Sequence, residues 1–176
     1  GWAIFAHCFT CGKDSRAAVH VSRALSRSGI GVLRFDFAGT GISGGMGGEV
    51  SFASDVQDLR SAATAMAAAG MSPSLLVGHS LGGTAAIIAA ADLPDVAAVA
   101  TIGAPADLQH ILRFFGPNDL DTIASEGEAS VDIAGRPFVI RRSFLEALEE
   151  IDVEKALATL RRPVLVMHSP LDQVVR

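Results

Sequence analysis

Short apolar runs alternate along this chain with stretches of helical period, and no other feature restricts its fold as much. The runs Trp2 to His7, Ile30 to Asp36, Ser74 to His79, Val96 to Ile102 and Pro163 to His168 read as strands. Between the first two, Lys13 to Ser28 is expected to be helical. Ala17, Val21, Ala24, Leu25 and Ser28 fall on one face, Arg16, Arg23 and Arg27 lie off it, and Gly29 ends it. A second helix runs from Ser51, as N-cap, to Ala69, with Val56, Leu59, Ala63 and Met66 as its buried stripe and Gly70 as the stop. A third starts near Leu81 and ends before Pro94. Strands joined by helices imply parallel crossovers, so the expected class is α/β, a mostly parallel sheet flanked by helices.

The pattern changes after Ile102. From Asp107 to Leu160 the sequence predicts a short helix, a glycine-punctuated loop, a hairpin around Ala134-Gly135, and two helices carrying Phe144/Leu148/Ile151 and Val153/Leu157/Leu160. This small, mainly helical insertion at about 107–160 lies between two strands, so it is expected to act as a cap beside the carboxyl end of the sheet. Phe114, Phe115, Phe138 and Phe144 either line a pocket beneath it or form its own core.

At 176 residues the chain suits one domain able to bury a core without staples. Its 49% apolar and 19% charged content argues against disorder. A net charge of −5, with no basic run beyond the Arg141-Arg142 and Arg161-Arg162 pairs, argues against a nucleic-acid partner. The longest apolar stretches are too short to cross a bilayer and are interrupted by Asp92, Pro94 and Asp95, so no membrane partner is expected. The opening Gly1-Trp2-Ala3-Ile4 carries no initiator Met and no leader, and reads as a fragment that begins inside a strand. Two cysteines make no disulfide framework and suit a reducing compartment better than secretion.

Gly78-His79-Ser80-Leu81-Gly82 matches G-x-S-x-G. Chance alone gives about 0.15 matches in a sequence of this composition, so the context carries the argument. Leu75-Leu76-Val77 supplies a strand before it and Thr84 to Ala91 a helix after it, the surroundings of a nucleophile elbow. Small residues at Gly78 and Gly82 let the flanking backbones approach, and Ser80 would stand off the carboxyl end of the sheet as nucleophile. The first strand ends in His7-Cys8-Phe9-Thr10, where an oxyanion loop would lie, which assigns the oxyanion hole to the N–H groups of Phe9 and Leu81. Cys8-Phe9-Thr10-Cys11 is also a C-x-x-C, open to a rival reading as a thiol-redox pair or, with His7, a metal site. No second cluster with ligand spacing accompanies it, so no metal is assigned. Gly39-Thr40-Gly41-Ile42-Ser43-Gly44 fits G-x-G-x-x-G, but Gly45 to Glu49 follow where a phosphate-binding loop would open into a helix, and Asp55 and Asp58 fall inside a helix. The segment from Asp36 to Ser43 is therefore expected to be a structural turn at the rim of the site.

A triad acid belongs after a later strand. Asp172 follows the strand ending at His168 through Ser169-Pro170-Leu171, with Asp107 as runner-up, whose alternative role is a helix N-cap. The base should follow the acid, yet His7, His20, His79, His110 and His168 all precede Asp172. The triad histidine is thus expected outside these residues, with His79 and His168 structural.

Phe5-Ala6-His7-Cys8-Phe9-Thr10-Cys11, Val32 to Phe37, Gly78 to Gly83, Ala100 to Pro105 and His168 to Asp172 together resemble the α/β-hydrolase superfamily. Within it they look most like the hydrolase half of bifunctional α/β-hydrolase/OsmC-type proteins. The resemblance spans almost the whole chain, and the segment from Phe5 to Cys11 is its most specific part, because the superfamily at large has Gly where Cys8 stands. It implies an α/β-hydrolase fold incomplete at both ends and a cytoplasmic bacterial serine esterase acting on a small-molecule ester. Ser80 would be the nucleophile, Asp172 the acid, and no cofactor is required. It further implies a following strand and helix with the triad histidine, then an OsmC-type domain, so these residues alone should hydrolyse esters little above background. Two alternatives stand beside the esterase, a non-catalytic scaffold for the fused domain and a thiol-redox protein using Cys8 and Cys11.

Overall fold

The computed structural model describes residues 1–41, 43, 51–133 and 136–175. Five strands form one parallel sheet in the order β2-β1-β3-β4-β7. They are β1 (Trp2–Ala6), β2 (Gly31–Arg34), β3 (Leu75–His79), β4 (Ala98–Ile102) and β7 (Val164–Met167). A separate antiparallel ribbon pairs β5 (Glu128–Ile133) with β6 (Arg136–Arg141). All five strands expected from the apolar runs are present, each trimmed by one or more residues. The ribbon matches the expected hairpin, whose Ala134-Gly135 turn lies outside the described residues.

Period-two alternation in the central strands divides the core between two layers. Ile4 and Ala6 of β1, Leu76 of β3 and Val99 of β4 face the helices α2 (Phe52–Ala68) and α3 (Leu81–Ala90). Phe5, Val77 and Ala100 face α1 (Arg16–Arg27) on the other side. Ser15 caps α1 through its side chain and Ser51 caps α2 as expected, while Gly29 (φ 78°) and Gly70 (φ 75°) follow their ends in the left-handed region that glycine favours.

The buried face of α1 is rotated from the sequence reading. Ala18 and Ser22 are buried with Val21 and Leu25 beside them, while Ala24 and Ser28 are exposed. The arginines fix the general direction of this amphipathic helix, and the difference is local: the interior stripe runs through Ser22, which hydropathy alone assigns to the outside.

The segment 107–160 packs on the α2/α3 layer through Ile111, Ile123, Phe144 and Leu148. It opens with a 3-10 helix (Leu108–Phe114) and closes with α5 (Arg142–Glu150) and α6 (Val153–Thr159). Between them, the expected glycine-punctuated loop is instead the helix α4 (Pro117–Glu126). Its glycines mark the two ends: Gly116 donates its N–H to the Asp119 carboxylate at 2.6 Å, and Gly127 (φ 89°) terminates the helix. At the sheet edge, Leu165, Val166 and Met167 of β7 stand exposed. No helix among the described residues is long and apolar enough to cross a membrane.

One buried charge site sets a pH dependence. Asp55 on α2 is buried, its Oδ1 lacks a hydrogen-bond partner among the described residues, and burial, reinforced by the charge of Asp58, pushes its carboxyl well above 3.8. In the folded state it therefore holds its proton at pH values where the unfolded polypeptide has lost it, and stability falls as pH rises from the unfolded value through the folded one. Asp55→Asn has no such slope. Its melting temperature should exceed that of the parent by a margin that widens from about pH 4 to pH 7; a constant margin in thermal melts across that range would contradict the assignment.

Candidate active site

In the order β2-β1-β3, the polypeptide leaves β1 toward one edge and returns past it to β3, which opens a crevice at the carboxyl ends of these two strands. The register places Ala6 opposite Gly78, so the residues following each strand are neighbours across the crevice. One side contributes His7-Cys8-Phe9, the other His79-Ser80-Leu81.

Ser80 is the one non-glycine residue with positive φ among those described (φ 53°, ψ −128°). The strained turn is held by its N–H donating to the Ile102 carbonyl at 2.8 Å and by the Gly83 N–H donating back to the Ser80 carbonyl at 2.8 Å. The Ser80 side chain makes no capping bond to α3. The flanking glycines are steric requirements: a Cβ on Gly78 would overlap the backbone of Gly82 and Gly83, and one on Gly82 would overlap the carbonyls of His7 and Ala6. α3 thus presses its first turn against the end of β1, bringing the backbones of Leu81 and Phe9 to one cavity.

The cavity has a volume of about 580 Å³ and is walled by Cys8, Phe9, His79, Ser80, Leu81 and Asp172, with an apolar side from Ile111, Phe114, Ile133, Val174 and Val175. Of the four phenylalanines whose role the sequence left open, Phe114 lines this cavity. Phe138 and Phe144 are buried and stack on Phe9 at 5.9 and 5.3 Å, and Phe115 packs on the core.

The loop after β1 is oriented by His7. Its Nε2 accepts the Phe37 N–H at 3.2 Å, so the proton is on Nδ1, which donates to the Cys8 carbonyl at 2.8 Å. Burial holds this imidazole below its ordinary pKa against the opposing pull of the Cys8 bond and Asp36, consistent with the neutral tautomer. The Cys11 N–H donates to the same carbonyl at 3.0 Å. Because the Cys8 C=O and the Phe9 N–H belong to one planar trans peptide, fixing the former fixes the latter. Beyond the turn, the buried Asp36 carboxylate accepts the Lys13 N–H at 2.6 Å and its Nζ at 3.1 Å, anchoring the loop from behind. Asp36 thus belongs to the structural turn expected at the rim, of which Ile42, Gly44 and the following Gly45 to Glu49 lie outside the described residues.

Asp172 sits in the loop after β7 and reaches the cavity wall. Its Oδ1 accepts the N–H groups of Val174 and Val175, each at 2.9 Å, and these bonds, with weaker help from His168 and His79, hold the carboxyl below its ordinary value against burial. His168 Nε2 lies 4.0 Å from Asp172 Oδ2 and 2.9 Å from the Val175 carbonyl, a structural clasp on the same loop. Asp107, the runner-up acid, is the N-cap of the 3-10 helix, accepting the Gln109 N–H at 2.9 Å.

Two placements differ from the sequence reading. Cys8 and Cys11, expected as thiols in a reducing compartment, are joined by a disulfide. The histidine beside them is His79, expected as structural, and not His7: its ring nitrogen and the two sulfurs lie within 4.8 Å of one another, and it lines the cavity. The signal that could have found it is the β1/β3 register, which sequence alone does not supply.

The parallel sheet, the elbow at the end of β3 and the loop opposite define an α/β hydrolase. Residues 5–122 match the family model for serine aminopeptidase, S33, and the protein belongs to that family. The esterase domain of a Rhodothermus marinus protein is 48% identical with a TM-score of 0.73, over 99% of this sequence and 67% of that one. Est1E from Butyrivibrio proteoclasticus, solved with ferulic acid bound, is 24% identical with a TM-score of 0.81, over 99% and 70%. Mouse alpha/beta hydrolase domain-containing protein 10 is 25% identical with a TM-score of 0.72, over 99% and 70%. No curated protein gives a significant match.

The elbow geometry yields two stability tests. Ser80→Gly should raise stability by about 1 kcal/mol, because it releases the positive-φ strain that Ser80→Ala retains. Gly82→Ala should lose about 1–3 kcal/mol by overpacking against β1. Urea denaturation midpoints of the three variants check both; equal midpoints for Ser80→Gly and Ser80→Ala would remove strain from the account.

Proposed function

We propose that the protein is a serine hydrolase acting on carboxylic esters of small, largely apolar molecules. Ser80 Oγ attacks the ester carbonyl, the Phe9 and Leu81 N–H groups receive the oxyanion, and the resulting acyl-enzyme is released by water. Asp172 orients a histidine supplied by residues that follow it in the full-length protein, and that histidine takes the Ser80 proton and returns it to the leaving alcohol. The observation that carries this reading is the strained serine at the carboxyl end of β3, facing the Phe9 loop across one cavity.

The cavity wall favours an ester over the aminopeptidase chemistry of the family's name. Asp172 is its one carboxylate among the described residues, and in this reading it is committed to the triad histidine, so the described wall offers no second carboxylate to pair with a substrate α-amino group. The 48% identity to an esterase domain supports the same choice. The segment 107–160 is proposed as the cap over this pocket. The Phe5 to Cys11 string supports placing the protein in the branch in which an OsmC-type domain follows the hydrolase half. The scaffold alternative differs from this reading in needing no reactive Ser80.

In the full-length protein, Ser80→Ala should fold and lose at least about 10³ in kcat/KM for p-nitrophenyl acetate. Asp172→Asn should lose about 10⁴ through the wrong histidine tautomer, with Asp107→Asn near parent activity. Residues 1–176 alone should be near background. Unchanged turnover in Ser80→Ala would leave the scaffold reading in possession, and loss on Asp107→Asn with a silent Asp172→Asn would move the acid to the loop after β4.

A further inference from the structure

The Cys8–Cys11 pair and His79 have no part in ester hydrolysis, yet they meet at the wall of the same cavity. Cys8 and Cys11 close a four-residue turn at the end of β1, with Cα atoms 5.2 Å apart and the Cys11 N–H donating to the Cys8 carbonyl. His79 is the last residue of β3, brought beside them by the β1/β3 register. One nitrogen of its ring and both sulfurs lie within 4.8 Å of one another, all three residues are half-buried, and Cys8 and His79 open onto the cavity. Nδ1 of His79 is buried without a hydrogen-bond partner among the described residues. A disulfide offers an imidazole nitrogen neither a proton to accept nor a charge to attract it.

We propose that the dithiol form of this turn, with His79, is a binding site for a thiophilic divalent metal ion, Zn²⁺. Two thiolates and one imidazole are a zinc donor set, and a C-x-x-C turn is the usual way to present two sulfurs to one ion. Bond lengths of about 2.3 Å to sulfur and about 2.0 Å to nitrogen place tetrahedral ligand atoms roughly 3.3–3.8 Å apart. The three groups reach that spacing by side-chain rotation once the sulfurs are no longer bonded to each other. Three protein ligands leave a fourth position for water. The disulfide is then the gate: a phosphine reductant and one water convert it to two thiols and a phosphine oxide, and Zn²⁺ displaces up to one proton from each thiol while neutral His79 contributes a lone pair.

The test needs no knowledge of the substrate and does not depend on the esterase reading. The full-length protein is reduced with a phosphine, freed of it without oxygen, and titrated with Co²⁺ and then Zn²⁺. The expected result is one ion per molecule, with thiolate-to-cobalt absorption that Zn²⁺ abolishes, proton release on binding, and slowed alkylation of Cys8 and Cys11. The untreated disulfide form should give none of these signals, a comparison that needs no variant. Cys8→Ser, Cys11→Ser and His79→Ala should each weaken Zn²⁺ binding at least tenfold in chelator competition, with His20→Ala unchanged and folding checked by circular dichroism. Failure of the reduced protein to bind one ion, equal binding by the disulfide form, or full affinity in a folded His79→Ala would each overturn the site.

Discussion

The contact on which the site depends is the one between the first turn of α3 and the end of β1. Gly82 lies so close to the carbonyls of Ala6 and His7 that no side chain fits between them. A helix following a strand would ordinarily stand off its neighbour by the width of its side chains. Here the glycine removes that width, and the N–H groups of Leu81 and Phe9 come to one cavity from two different elements. The positive φ of Ser80 follows from the same demand, because a turn sharp enough to deliver α3 to that position forces its apex into a region a serine otherwise avoids. A hydrogen bond donated to the Ile102 carbonyl of β4 and one accepted from Gly83 of α3 hold the apex there.

Around that contact, polar groups are arranged to fix backbone and not to react. His7 has the residue type of a catalytic base, but both ring nitrogens are committed, one to the Phe37 N–H and one to the Cys8 carbonyl. It acts instead on the peptide plane that carries the Phe9 N–H. Asp36 does the same for the other end of the loop by holding Lys13. His168 and the Val174 and Val175 amides play the matching role for the Asp172 loop. In the proposed reaction the acting groups among the described residues are few: the strained Ser80, the Phe9 and Leu81 amides and the Asp172 carboxylate.

Much of this was legible from residues alone because the signals were local. Strands buried on both faces read as apolar runs, the N-cap at Ser51 precedes its helix, and G-x-S-x-G between a strand and a helix has few structural solutions. What was illegible depended on tertiary context. The face of α1 turned on Ser22, a polar residue that the core accepts with its hydroxyl unpaired among the described residues. The helix α4 was hidden because Gly116 and Gly127, which end it, look in sequence like the glycines of a loop. The neighbourhood of His79 is set by strand register, and a C-x-x-C spacing allows a disulfide without disclosing the oxidation state.

The segment 107–160 is bound to the chemistry more closely than an added cover would be. Phe9 contributes its N–H to the cavity and its ring to a stack on Phe138 of β6 and Phe144 of α5. Backbone and side chain of one residue thus face two layers, so the position of the Phe9 amide is tied to the packing of the segment that shapes the apolar wall. Such a stack is worth about 0.5–1.5 kcal/mol per pair beyond the area it buries, small against a whole fold but comparable with the cost of displacing a short surface loop. A change in the 107–160 packing therefore reaches the Phe9 amide directly, through a shared side chain, while the Leu81 amide, seated on α3 and pressed against β1, is insulated from it. The two amides differ in this respect: that of Leu81 is held by the core, that of Phe9 by His7 through the Cys8 carbonyl and by the insertion through its ring.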